Sequence, residues 1–171
     1  MRRLYIPERK GARNFMIETA KTEDGDPIKD ITAKAGVFSQ EEVDCVRDIW
    51  EEYLSFGADS TGYHFIVERQ EGRVSGFACY GYRDLTDGVY DLFWIAVDPG
   101  FRRDGVGRRL LTACEDIVRT LGGRMIIAET SGKPLYEATR AFYLGTGYKA
   151  EAVIKDFYSA GDDLVIFVKR L

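Results

Sequence analysis

The residues with the clearest chemistry lie in one run, Ile95-Ala96-Val97-Asp98-Pro99-Gly100-Phe101-Arg102-Arg103-Asp104-Gly105-Val106-Gly107-Arg108-Arg109. An apolar, strand-like stretch ends at Val97, a Pro-Gly break follows, and an amphipathic pattern opens beside the two later glycines. The first N–H groups of a helix have no internal partner and carry partial positive charge. Gly105 and Gly107 let a bulky anion approach the backbone. Arg102, Arg103, Arg108 and Arg109 add positive potential. Such a turn is suited to binding a phosphate or pyrophosphate.

Three phosphate-binding patterns can be told apart here. A P-loop needs Lys-Ser/Thr after its glycine, and this chain offers Gly107-Arg108-Arg109. A dinucleotide fingerprint needs a third glycine where Leu110 stands, and its glycines at the strand end. Glu129 falls about where that fingerprint's ribose-binding acid would, which keeps a nucleotide-binding module as a weak alternative. The third pattern fits better. Arg102-x-x-Gly105-x-Gly107 resembles the Arg/Gln-x-x-Gly-x-Gly/Ala signature of the GNAT N-acetyltransferase superfamily, with Val97-x-Pro99 before it and an amphipathic helix after it. Ala138-x-x-x-Phe142-Tyr143-x-x-x-Gly147-Tyr148 resembles that family's second hallmark, a helix ending in Phe-Tyr-x-x-x-Gly-Tyr/Phe. The resemblance covers residues 36 to 170, and the first 35 match only loosely.

The resemblance implies acetyl-CoA as co-substrate, and no metal is expected because the chain lacks cysteine and histidine at ligand spacing. It places the donor between two parallel strands that splay apart, here Val89 to Val97 and Arg124 to Thr130. Backbone groups of Ile95, Ala96 and Val97 would bond the pantetheine and the acetyl oxygen. Arg102 and the residues Arg103, Asp104, Gly105, Val106, Gly107, Arg108 and Arg109 would hold the pyrophosphate. Tyr143 matches the tyrosine with which many members protonate the leaving thiolate; a phenol near ~10 lies close enough to a thiol near ~8.5 for that transfer. Asp91 and Glu129 match two acid positions that different members use as general base. Strand alternation puts Asp91 on one face with Phe93, Ile95 and Val97, where a carboxylate costs desolvation unless it has a partner or a task. A free amine is mostly protonated at neutral pH, so one of these acids or a water chain must accept its proton. His64 lies too early in the chain to match a catalytic position, and Phe93 and Trp94 read as sheet packing.

These residues need positioning elements. The first dozen residues read as a loose arm, and Phe15 to Ala20 as a first strand. Glu23 to Pro27 reads as a turn before a short helix at Ile28 to Ala35. Ser39 and Glu42 form a capping box, Phe38 and Val43 a hydrophobic staple, and Val43, Val46, Trp50, Tyr53 and Leu54 a helical stripe that Gly57 can stop. Strand-like runs follow at Tyr63 to Arg69, Val74 to Tyr82 and Val89 to Val97. A helix from about Asp104 to Gly122-Gly123, a strand at Met125 to Ala128 and a helix begun by Pro134 come next. Two last strands lie at Lys149 to Tyr158 and Leu164 to Lys169, with Asp162-Asp163 before the second. This order predicts a mixed sheet with helices packed on it, and the resemblance implies that it is an α/β (mixed α+β) GNAT-like fold. Its central twisted sheet is mixed, mostly antiparallel and of about seven strands, flanked by about four helices. Residues 1–171 are expected to form a single domain, with 1–12 as its arm.

The totals bound the function further. A chain of 171 residues with 45% apolar and 30% charged residues suits one globular domain. A net charge of −4 gives no basic footprint for nucleic acid. Three separated cysteines and one histidine lack zinc-ligand spacing and predict reduced thiols in a cytoplasmic protein. The N-terminus lacks the apolar segment of a signal peptide, and no apolar run reaches membrane-spanning length. The expected function is acetyl-CoA-dependent N-acetyl transfer to a primary amine of a small molecule or peptide, by direct attack in a ternary complex. The expected protein is a monomer or homodimer. Asp84, Asp87, Asp91 and Glu129 would give an acidic mouth that attracts a cationic amine. The alternative is a non-catalytic acyl-CoA sensor or partner-binding domain, which would need neither Tyr143 nor the acids.

Overall fold

A computed structural model describes residues 14–171. The arm expected at residues 1–12 lies outside the described residues. Seven strands, β1 (Phe15–Thr19), β2 (His64–Gln70), β3 (Arg73–Tyr82), β4 (Val89–Val97), β5 (Met125–Ser131), β6 (Lys149–Ser159) and β7 (Asp162–Arg170), are hydrogen-bonded in the order β1-β2-β3-β4-β5-β7-β6. β4 and β5 run parallel; β1–β2, β2–β3, β5–β7 and β6–β7 run antiparallel. The helices are α1 (Gly25–Lys34), α2 (Gln40–Phe56), α3 (Ala58–Thr61), α4 (Val106–Thr120) and α5 (Glu137–Gly145). The fold is therefore the mixed α/β class expected from the residue pattern, with one more helix, the single turn of α3.

Two compact units divide the chain. One takes in the described residues up to Tyr80 together with Trp94–Cys114; the other is Gly81–Phe93 with Glu115–Leu171.

In the first unit, α1 begins at Gly25, earlier than Ile28. Pro27 falls inside its first turn, where the missing N–H is no loss, so the residues expected as a turn are helical. The Ser39–Glu42 capping box forms in both directions: Ser39 Oγ accepts from the Glu42 N–H at 3.2 Å, and Glu42 Oε2 accepts from the Ser39 N–H at 2.7 Å. Gly57 at φ +79° then lets the chain leave α2. Trp50, Phe65, Phe77, Val46 and Val67 form the buried core, and Phe38 meets Trp94 edge-on at 5.3 Å. Glu71 and Gly72 both take positive φ, as a two-residue hairpin turn requires, and Gln70 pairs with Arg73 across it. α4 starts at Val106, two residues later than the sequence suggests. Arg103 (φ +68°) and Gly105 (φ +77°) are left-handed and cannot belong to it. At Gly76 an added Cβ would lie 2.8 Å from the Ala96 carbonyl oxygen and 2.9 Å from Val106 Cγ1, so only glycine lets β3 pass under the start of α4.

In the second unit, β4 pairs with β5 from Val89–Met125 to Leu92–Ala128, and β5 pairs with β7 along its whole length. α4 ends as expected. Gly122 at φ +80° donates to Arg119 O and Gly123 donates to Val118 O, the paired bonds of a glycine helix stop. Pro134 opens a 3-10 turn, Pro134–Tyr136, that leads into α5. Asp162 and Asp163, expected ahead of the last strand, are its first two residues.

Cys45 is exposed on α2, whereas Cys79 and Cys114 are buried. No described helix is long and apolar enough to cross a membrane.

Candidate active site

The arginine–glycine turn is held by its own residues. The Asp98 carboxylate accepts the Gly100 N–H at 2.7 Å, and the Asp98 N–H donates to Ser75 O at 2.9 Å, tying the end of β4 to β3. The Arg109 N–H donates to Gly105 O at 3.0 Å and is the first bond of the helical ladder. The N–H groups from Gly105 to Arg108 precede it and have no acceptor inside the helix.

The four arginines of the turn have different surroundings. Arg102 donates to the Ala35 carbonyl oxygen at the end of α1. Arg103 is exposed and makes no hydrogen bond or ion pair with a described residue. Arg108 is exposed. Arg109 grips the buried Glu68 through Nε (2.8 Å) and Nη2 (2.7 Å), and its Nη1 donates to the Asp104 carbonyl oxygen at 2.6 Å. The sequence gives no sign that Arg102 and Arg109 are engaged in these ways by the protein itself.

Ile95, Ala96 and Val97 close β4. Ala96 is buried and its two neighbours are half-buried. The parallel register between β4 and β5 stops at Leu92–Ala128, while β4 continues to Val97 and β5 to Ser131.

The two acids expected as alternatives for the base share one cation. Arg83 Nε lies 2.9 Å from both oxygens of Asp91, and Arg83 Nη2 lies 2.7 Å from Asp91 Oδ1 and 3.1 Å from Glu129 Oε1. The hydrogen bond to Asp91 is the largest cause that raises the pKa of the guanidinium above the usual arginine value. The Asp91 side chain keeps 14% of its exposure and that of Glu129 40%, so solvent reaches Glu129 more readily. The desolvation that Asp91 would suffer on an apolar strand face is thus met by a partner. Arg83 did not stand out in the sequence because it sits at a strand exit and reads as connecting loop. Its one available signal is hairpin arithmetic. The Arg83 N–H bonds Val89 O at 2.9 Å, which brings residue 83 diagonally near residue 91. Asp84 and Asp87 are exposed, and Arg83 offsets part of the acidic charge expected around them.

Tyr143 is 4% exposed on α5. Its ring centroid lies 5.5 Å from Tyr148 and 5.3 Å from Phe167, so the ring is fixed by aromatic packing. The C-terminal end of α5 is held by Lys169, whose Nζ donates to Thr146 O (2.9 Å) and to both oxygens of the buried Glu115 (2.8 and 2.7 Å). His64 stacks on Tyr80 at 5.3 Å, and burial lowers its pKa below the usual histidine value.

Comparison with known proteins fits this geometry. The acetyltransferase (GNAT) family matches the chain over residues 28–148. Over 112 residues the chain is 30% identical to the [ribosomal protein bS18]-alanine N-acetyltransferase of Salmonella typhimurium, covering 64% of this chain and 70% of that one. The crystal structure of a GNAT-family acetyltransferase homologue from Desulfovibrio desulfuricans superposes with a TM-score of 0.88 at 39% identity, covering 92% of this chain and 99% of that one. That of yncA from Salmonella typhimurium with acetyl-CoA gives 0.71 at 20% identity, covering 92% and 94%. The chain belongs to the acetyltransferase (GNAT) family and is an N-acetyltransferase.

Proposed function

We propose that this enzyme binds acetyl-CoA and passes the acetyl group directly to a primary amine of a peptide or small molecule while both substrates are bound. The whole chain acts as one catalytic domain in this reading. The observation that carries it is the turn from Arg102 to Gly107. It opens α4 with N–H groups lacking helical acceptors, and the exposed Arg103 stands beside them. Ile95, Ala96 and Val97, past the end of the β4–β5 register, would meet the pantetheine through their main-chain groups.

The chemistry needs two proton movements. The amine loses a proton as its nitrogen attacks the acetyl carbonyl carbon, and the sulfur gains one as the C–S bond breaks. Glu129 is assigned the first, because it has solvent access and only one contact from Arg83. Asp91, with both oxygens on Arg83, is the second candidate and acts at least to fix that cation. Tyr143 is assigned the second movement, with its ring immobilised by Tyr148 and Phe167. The bS18-alanine acetyltransferase relationship supports a peptide α-amine as the first acceptor to try.

The test is titration calorimetry with acetyl-CoA, followed by an amine screen that measures free thiol. Binding by the wild type that weakens markedly in Gly107→Val supports the donor site. No binding by the wild type overturns it. Binding without thiol release for any amine leaves a sensor as the better description.

A further inference from the structure

We propose that Glu68, assigned to no function so far, is a positioning residue for the coenzyme turn and acts through Arg109. The inference rests on the donor-site reading above and goes beyond it. Glu68 lies on β2 with its side chain fully buried. A buried carboxylate is costly unless donors surround it. Here Arg109 supplies two, Gln70 Nε2 a third at 2.9 Å and Ser75 Oγ a fourth at 3.1 Å. The strand register shifts between Glu68 and Arg69, an irregularity at the point where the carboxylate leaves the ladder. The Arg109 guanidinium lies 4.2 Å from the Phe15 ring centroid, so it is gripped from β1 as well as β2.

What Arg109 has left is Nη1, and that donor goes to the Asp104 carbonyl oxygen at 2.6 Å. A trans peptide is planar, and its C=O and N–H point in opposite directions. Drawing the Asp104 carbonyl toward Arg109 therefore turns the Gly105 N–H the other way. Arg103 and Gly105, the neighbours of Asp104 on either side, stand at φ +68° and +77°. Arg103, as a non-glycine residue, needs an external hold to stay left-handed. Successive N–H groups in such a conformation form a concavity suited to an anion. Arg109 thus aims a donor at the pyrophosphate, its own charge being largely balanced by Glu68.

The experiment compares two ligands on three proteins. Coenzyme A carries the pyrophosphate, and S-acetylpantetheine lacks it. Glu68→Gln is expected to weaken coenzyme A binding by about tenfold, as the loss of an aligned charge-assisted donor would. It should leave S-acetylpantetheine within about twofold. Arg109→Lys, which keeps the charge and loses the planar fork, should behave as Glu68→Gln does. Should Glu68→Gln fail to fold, Glu68→Met combined with Arg109→Met replaces the pair by apolar groups and should fold while showing the same selective loss. Equal losses for both ligands, or coenzyme A affinity unchanged in the folded variants, would overturn the inference and leave the donor site intact. A wild type that binds no coenzyme A overturns both.

Discussion

At the scale of single residues, each of two clusters sets a cation against carboxylates. Arg83 joins Asp91 and Glu129, and Arg109 joins Glu68 to the turn. Tyr143→Phe is expected to lower kcat by about a hundredfold, the ordinary worth of a positioned general acid, with acetyl-CoA affinity nearly unchanged. Steady-state kinetics beside calorimetry checks this, and an unaltered kcat would reduce Tyr143 to packing. Glu129→Gln should lower kcat by about a hundredfold with acetyl-CoA affinity nearly unchanged, whereas Asp91→Asn should cost less by only loosening Arg83. The reverse pattern would exchange their roles. Tyr143, Asp91, Glu129 and the glycines of the turn could be picked out of the sequence as candidates, because each stands in a motif or on a strand face that alternation defines. It did not carry Arg83, Glu68 or the inward use of Arg109, because those depend on contacts between residues 41 or 46 positions apart as well as on a diagonal across a hairpin.

At the scale of elements, the strand and helix periods survived into the structure, and the differences lie where special backbone conformations interrupt them. α4 starts late because of Arg103 and Gly105, and α1 starts early because Pro27 is tolerated in a first turn. Gly76 sets the approach of β3 to the start of α4. Gly76→Ala would press on the Ala96 carbonyl, which cannot yield as a flexible side chain can. The expected cost is about 2 kcal/mol of stability, measured by denaturant unfolding. Affinity for acetyl-CoA should fall with it, since Val106 opens α4 within the turn. Arg69 joins β2 to Glu18 at 2.7 Å and to the buried Asp24 at 2.6 Å. Arg69→Met would strand a buried carboxylate and should cost about 3 kcal/mol. A midpoint shift near zero would contradict that account.

At the scale of the molecule, stability should depend on pH in two windows. His64 is held below its ordinary pKa by burial, so the unfolded chain binds its proton first as pH falls. Stability should therefore begin to decline as pH drops through the ordinary histidine range near ~6.5, and His64→Gln should reduce that decline. Glu18 is held below the usual carboxylate range chiefly by its hydrogen bond from Arg69. Its contribution is present above about pH 4.5 and is lost as pH falls through its lowered value. Urea unfolding from pH 8 to pH 3 would resolve the two windows. A curve flat between pH 7 and pH 5 would remove the histidine from the account.

The distribution of sulfur has a practical corollary. Cys79 and Cys114 are buried, and Cys45 alone among the three cysteines is exposed. Its thiol is held above its ordinary pKa by partial burial and then by the carboxylates of Asp48 and Glu42, which slows its attack on disulfide reagents. A chromogenic assay that counts liberated coenzyme should therefore carry a slow background of one equivalent per chain. Cys45→Ser would silence it. The same position offers a single handle for attaching a fluorescent reporter without touching the interior.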